Sequence, residues 1–198
     1  WTDGVGVVTT TQKVGIGTAN PTKDIHVVQE GIYTNPYIAV QSAADWYSIK
    51  PMMLFKRSRG TIASPAAVQN GDWLGQFVLD AHNGAAFEGE RRIFQIEASE
   101  NWTPSTGGFR YTFFTRNNGT VGPPTERMKI DHNGNIGIGT QSPTQLLDVN
   151  SDGIRIQQPK TPASSTATCN QGDIAWDTNY VYVCVTANLW KRASLGSW

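Results

Sequence analysis

The chain carries no excess of charge: Lys plus Arg and Asp plus Glu stand at sixteen each among 198 residues. A protein that grips nucleic acid through its phosphates needs a basic surplus, so no nucleic-acid partner is expected. Charge of either sign is scarce too, at 16% of residues, where soluble domains average about 25%. Cysteine is nearly absent, with only Cys169 and Cys184. Two thiols do not make a zinc site without further ligands, and no His is near them in sequence, so neither metal nor cofactor is expected. The pair reads equally as two buried thiols or as one disulfide, because the redox compartment is not written in the sequence. No apolar run approaches the ~18 residues of a membrane span, so no membrane insertion is expected. The chain opens at Trp1 without Met or a basic start, and so reads as a fragment or processed piece without a signal peptide. Amphipathic helices of ordinary length are missing as well. Ala63–Gln69 has room for one helical turn, weakened by Pro65.

What is present is the composition of a turn-rich, all-β protein: twenty glycines, with abundant Thr, Asn, Ser and Gln. Leu74–Asp80, Arg92–Ala98 and Phe109–Thr115 read as strands. In the second, Phe94, Ile96 and Ala98 are expected to face in and Gln95 and Glu97 out. Asn-Gly turns follow at His82-Asn83-Gly84, Asn117-Asn118-Gly119 and His132-Asn133-Gly134. Near the C-terminus, a two-residue turn at Thr178-Asn179 would set Trp176 opposite Val181 and Ile174 opposite Val183, with Leu189–Arg192 as a third strand.

One short segment occurs twice. Val14-Gly15-Ile16-Gly17-Thr18-Ala19-Asn20-Pro21-Thr22-Lys23-Asp24-Ile25-His26-Val27 aligns with Ile136-Gly137-Ile138-Gly139-Thr140-Gln141-Ser142-Pro143-Thr144-Gln145-Leu146-Leu147-Asp148-Val149, identical at seven of fourteen positions. Glycine at alternate positions strips one strand face of side chains and lets another backbone approach. Gly15, Gly17, Gly137 and Gly139 are therefore expected to line an axis between copies of the chain. Four segments follow: a first repeat (1–30), a central antiparallel, sandwich-like β domain (31–131), a second repeat (132–158) and a C-terminal hairpin piece (159–198).

Chemistry is hard to find. His26 lies in an alternating strand, and His82 and His132 precede Asn-Gly, so none reads as catalytic. Gly15-Ile16-Gly17 lacks the third glycine and the helix of a dinucleotide fingerprint. Asp131–Asn135 has alternating oxygen side chains like a calcium loop, but its glycine comes too early, so a plain turn is expected. Arg57 and Arg59 read as a structural ion-pair cluster with Asp72, Glu88 or Glu90. Glu88 with Glu90, or Glu97 with Glu100, could be drawn as a hydrolytic carboxylate pair, yet nothing sets either across a cleft. Exposed aromatics stack on sugars, which makes Trp46, Tyr47, Trp102, Tyr180, Tyr182 and Trp190 candidates for a receptor or glycan surface.

Three stretches carry a resemblance. Glu126–Ile130, Gly134-Asn135, Ile136–Thr140, Ser142-Pro143 and Leu147–Val149 resemble the recurring segment of bacteriophage tail-fibre proteins. Arg57–Thr61, Ser64-Pro65 and Val68–Asp72 are similar to the block preceding it there, and Cys169, Gly172–Asp177, Tyr180–Cys184 and Trp190–Ala193 to the ends of phage structural proteins. The resemblance implies an elongated homotrimeric fibre with short intertwined β segments, placed on the virion surface of tail or capsid. Its implied partners are other virion proteins and a host surface glycan or protein, and no catalysis is implied. A monomeric carbohydrate-binding β-sandwich, a capsid decoration protein and a depolymerase fragment are the alternatives.

Overall fold

A computed structural model describes residues 13–28, 38, 42–43 and 51–197. The chain divides into two compact units, 1–56 and 57–198. Every regular element among the described residues is a β-strand.

In the first unit, β1 (Val14–Ile16) pairs in parallel with β2 (Ile25–Val27), Gly15 opposite His26. The second unit opens with a two-stranded ribbon of β3 (Arg59–Gly60) and β4 (Pro65–Ala66). The helical turn expected around Pro65 is therefore a strand; at an unpartnered edge its missing N–H costs nothing. Six strands then form one sheet: β5 (Trp73–Leu79), β6 (Arg91–Ala98), β7 (Phe109–Thr115), β8 (Thr125–Ile130), β9 (Ile136–Ile138) and β10 (Leu147–Val149). They lie in chain order, antiparallel except for the parallel β9–β10 pair. The second repeat thus extends the central sheet rather than standing apart from it.

A separate three-stranded antiparallel sheet contains β11 (Ile174–Trp176), β12 (Tyr180–Thr186) and β13 (Leu189–Ser194). Its register sets Trp176 opposite Val181 and Ile174 opposite Val183, as the hairpin spacing predicts. Cys169 and Cys184 form a disulfide with a Cα–Cα distance of 6.2 Å. It anchors the segment before β11 onto β12, and around it gather Ala175, Tyr182 and Trp190 in the compact core of this sheet. A crosslink of this span lowers the entropy of the unfolded segment and stabilises a unit too small to hold on burial alone.

The central sheet is a single layer. Among the described residues of its unit, no strand of another sheet packs on β5–β10, so within this unit the described strands form no sandwich. The expected inside of β6 changes with it. Ala98 is fully buried, but so are Gln95 and Thr112, while the face of Phe94 lies open at Phe77 and Phe113. Strand alternation separates the faces correctly; it does not say which face gets covered.

Candidate functional site

Residues paired across an antiparallel sheet point to the same side. One row across β5–β10 is Phe77, Phe94, Phe113, Met128, Ile138 and Val149. The next holds Ile96, Tyr111, Ile130, Ile136 and Leu147. The aromatic rings touch along the row, with Phe94 centred 5.0 Å from Phe113 and 5.8 Å from Tyr111. This face is apolar from edge to edge, yet Phe77, Phe113, Ile138 and Leu147 remain 39 to 60% exposed. The reverse face carries a polar network, with the Arg92 guanidinium 4.9 Å from the centres of both the Trp73 and Phe114 rings. Arg92 Nη1 donates to Gln95 Oε1 at 2.9 Å, Gln95 Nε2 to Glu97 Oε2 at 2.9 Å, Arg110 pairs with Glu97, and Lys129 with Glu126. The three-stranded sheet repeats the pattern: its second face shows Ile174, Val183 and Val185 exposed. The sequence reading missed these surfaces. Their signal was the run of apolar residues on one side of successive strands with no second layer to cover them.

The two repeats fold alike. In each, a parallel pair is joined by a connection, 17–24 or 139–146, far shorter than the dozen or so residues such a crossover usually takes. Corresponding bonds close both: Val14 N–H donates to Asp24 O at 2.7 Å and Val28 to Ile16 at 2.9 Å; Ile136 donates to Leu146 and Asn150 to Ile138, both at 2.9 Å. Thr22 N–H donates to His26 Nδ1 at 3.3 Å, and Thr144 N–H to Asp148 Oδ2 at 2.9 Å. A Cβ on Gly15 would sit 2.4 Å from Thr18 O, and one on Gly137 2.6 Å from Thr140 O. Gly17 and Gly139 have φ of +75° and +72° and lie against the Val28 and Asn150 carbonyls. The close approach that these glycines permit is made within their own chain.

The aromatic candidates scatter. Trp46 and Tyr47 lie outside the described residues. Trp102 is half-buried, its indole donating to Gly108 O at 3.0 Å, and it anchors a loop rather than offering a platform. Tyr182 and Trp190 are core residues of the C-terminal sheet, 4 and 5% exposed, and so do not form a flat surface. They do converge, with Lys191, Arg192, Ser164 and Ser165, on a cavity of about 300 Å³. Tyr180 stands beside it, its ring centre 5.8 Å from that of Tyr182 and 4.0 Å beneath the Arg192 guanidinium. Lys160 Nζ lies 5.4 Å from the Trp190 ring centre. Asp177 organises the turn below: it accepts the Tyr182 hydroxyl at 2.5 Å, the Thr161 hydroxyl at 2.7 Å and the Asn179 and Tyr180 N–H groups at 2.8 and 2.9 Å. Those donors, Tyr182 foremost, hold its carboxyl down to about 2.

The other carboxylates serve structure. Asp72 takes a two-pronged bond from Arg59 at 2.7 and 2.8 Å, which holds its carboxyl well below the usual range, while Arg57 stands 4.0 Å away. Glu88 pairs with Arg116 at 2.7 Å, and that bond lowers its pKa. Glu97 receives Arg110, and Glu100 receives the Gly108 N–H at 2.7 Å. The proposed hydrolytic pairs are thereby spoken for at Glu88, Glu97 and Glu100. Asp131 accepts the Asn133 and Asn135 N–H groups at 2.8 and 2.9 Å, forming the plain turn expected of it. Among the described residues no cluster of His, Cys, Asp and Glu could hold a metal ion.

No family model matches the chain. A stretch of 36 residues, 18% of the chain, is 53% identical to "Depolymerase 1, capsule K30/K69-specific" of Klebsiella phage K5-2. A stretch of 56 residues, 28% of the chain, is 38% identical to "Depolymerase, capsule K30/K69-specific" of Klebsiella phage K64-1. The matches span only 4% and 7% of those relatives' lengths. Among solved structures, the carboxy-terminal domain of the bacteriophage T5 L-shaped tail fibre with its intramolecular chaperone domain aligns over 73% of this chain and 35% of that one, with a TM-score of 0.52 and 18% identity. A second structure of the T5 domain aligns over 72% of this chain and 50% of that one, with a TM-score of 0.42 and 20% identity. The chain has the fold of a bacteriophage tail-fibre domain.

Proposed function

We propose that the chain is a structural, non-enzymatic component of a phage tail fibre, assembled as a homotrimer on the virion tail and contributing to host attachment. One observation carries this reading: the sheet β5–β10 has an apolar face on which, among the described residues of its unit, no other strand packs. An apolar surface that wide, on a single-layer sheet, belongs in an obligate interface, which resembles a domain interior cut open. Three copies with these faces turned together would bury Phe77, Phe94, Phe113 and Met128 in a shared core. In such an assembly Ile16, Ile25, Ile138, Leu146 and Leu147, exposed apolar residues of the repeats, would face a neighbouring copy beside the repeat glycines.

The fibre fold and the partial likeness to capsule-specific phage proteins support a host-surface polysaccharide as what the assembly meets. Threefold repetition of a weak site raises avidity without any new contact. Sedimentation equilibrium or native mass measurement tests the reading. The expected species has three times the chain mass of 21.6 kDa, and a stable monomer at micromolar concentration would refute it. Incubation with host capsule is expected to release no reducing ends.

A further inference from the structure

The C-terminal cavity brings cationic side chains that meet no carboxylate together with a buried indole N–H that meets no acceptor, and we propose that it binds an acidic sugar residue, with the sugar carboxylate set among Arg192, Lys160 and the Trp190 indole. This rests on the reading above, that the fibre meets a host polysaccharide, and specifies the chemistry of what it meets.

Two independent observations point to a ligand. Trp190 lines the cavity and is 5% exposed, and its indole Nε1 is buried with no acceptor in the chain. A buried N–H without a partner is costly, and an acceptor brought by a ligand recovers that cost. The cations around it lean on rings rather than on carboxylates, Arg192 over Tyr180 and Lys160 over Trp190. Among the described residues, Lys160, Lys191 and Arg192 have no carboxylate within ion-pair distance. Asp177 reaches the cavity wall only through Tyr182 and is saturated by four donors.

The remaining wall suits a sugar ring. A cavity of about 300 Å³ is at the small end for ligand sites and matches a single ring rather than a long chain. Aromatic surface from Tyr182 and Trp190 lies beside the hydroxyls of Ser164 and Ser165, giving apolar and hydrogen-bonding walls together. Charge-assisted bonds from Arg and Lys to a carboxylate supply the selectivity. Position agrees: Trp190 and Arg192 pair across the sheet with Cys184 and Tyr182, on the face opposite Ile174 and Val183. Assembly through that apolar face would leave the cavity open.

Calorimetric titration of the full chain with a glucuronate-containing oligosaccharide, its carboxyl-reduced counterpart and inorganic phosphate tests the proposal. The acidic oligosaccharide is expected to bind at least tenfold more tightly than the reduced one, and Arg192→Gln and Lys160→Gln each to lose tenfold or more. Lys160 is exposed, so its variant keeps the test usable if Arg192→Gln fails to fold. Equal binding of both oligosaccharides, absence of binding, or competition by phosphate at equal concentration would overturn it. The mass of the same sample separates the two readings: a trimer without acidic-sugar binding sinks this inference alone, and a monomer sinks the fibre assignment whatever it binds.

Discussion

At the scale of single residues, the repeat glycines are the sharpest case. Gly139 combines a φ of +72° with the Asn150 carbonyl 2.9 Å from where a Cβ would stand, whereas Gly134, at +84°, has open space around that point. Gly139→Ala must therefore both strain the backbone and move a neighbouring strand end, at ~1–3 kcal/mol; Gly134→Ala meets only the milder left-handed penalty of ~1 kcal/mol. Hydrogen exchange of the Asn150 amide, bonded to Ile138 O across the repeat, should accelerate strongly in the first variant and little in the second. Equal acceleration would mean that the carbonyl contact is unimportant. The need for a bare backbone was legible in the alternating glycines. The identity of the backbone that approaches was not, because a missing side chain specifies a gap and not its occupant.

At the scale of elements, the hairpin β11–β12 was legible down to its register, because a two-residue turn between alternating strands leaves one pairing. The joining of β9 to β8 was less so: it depends on the turn at Asp131, whose carboxylate gathers two backbone N–H groups. Asp177 does the same for the hairpin and gives it a pH dependence. Its carboxyl is held at about 2 against an ordinary 3.8. A carboxylate depressed by folding stabilises the native state above its unfolded pKa, and that contribution is lost as pH falls through the folded value. The C-terminal sheet is thus expected to lose stability between about pH 4 and pH 2, followed by tryptophan fluorescence in an acid titration. Asp177→Asn should be less stable at neutral pH and flatter over that window. An unchanged acid midpoint would show that the turn does not depend on this carboxylate.

At the scale of the whole molecule, the faces of the central sheet were readable strand by strand, but coverage was not. Gln95 illustrates why. It was expected outside, and it is buried because Arg92 and Glu97 close over it, while the face of Phe94, expected inside, stays open at Phe77 and Phe113. Periodicity reports which side chains share a side; whether a layer arrives to cover that side depends on parts of the assembly that one strand does not encode. The prediction at this scale is Phe113→Asp. Phe113 sits mid-row, 39% exposed in one chain, so the single chain should tolerate the charge, while an interface that buries it should not. Mass measurement should show monomers with unchanged β-sheet circular dichroism; a trimer of wild-type stability would place the interface elsewhere.

The short parallel return of each repeat has one further consequence. The bonds that close the return lie within its own span, so the same joint forms both in the first unit and at the end of the central sheet, where β9 also pairs with β8. The same cassette ends in His26-Val27 in one place and Asp148-Val149 in another, among different neighbours, with the same closing bonds. A chain built on such cassettes can gain, lose or exchange whole segments at these seams while each seam keeps its own closing geometry.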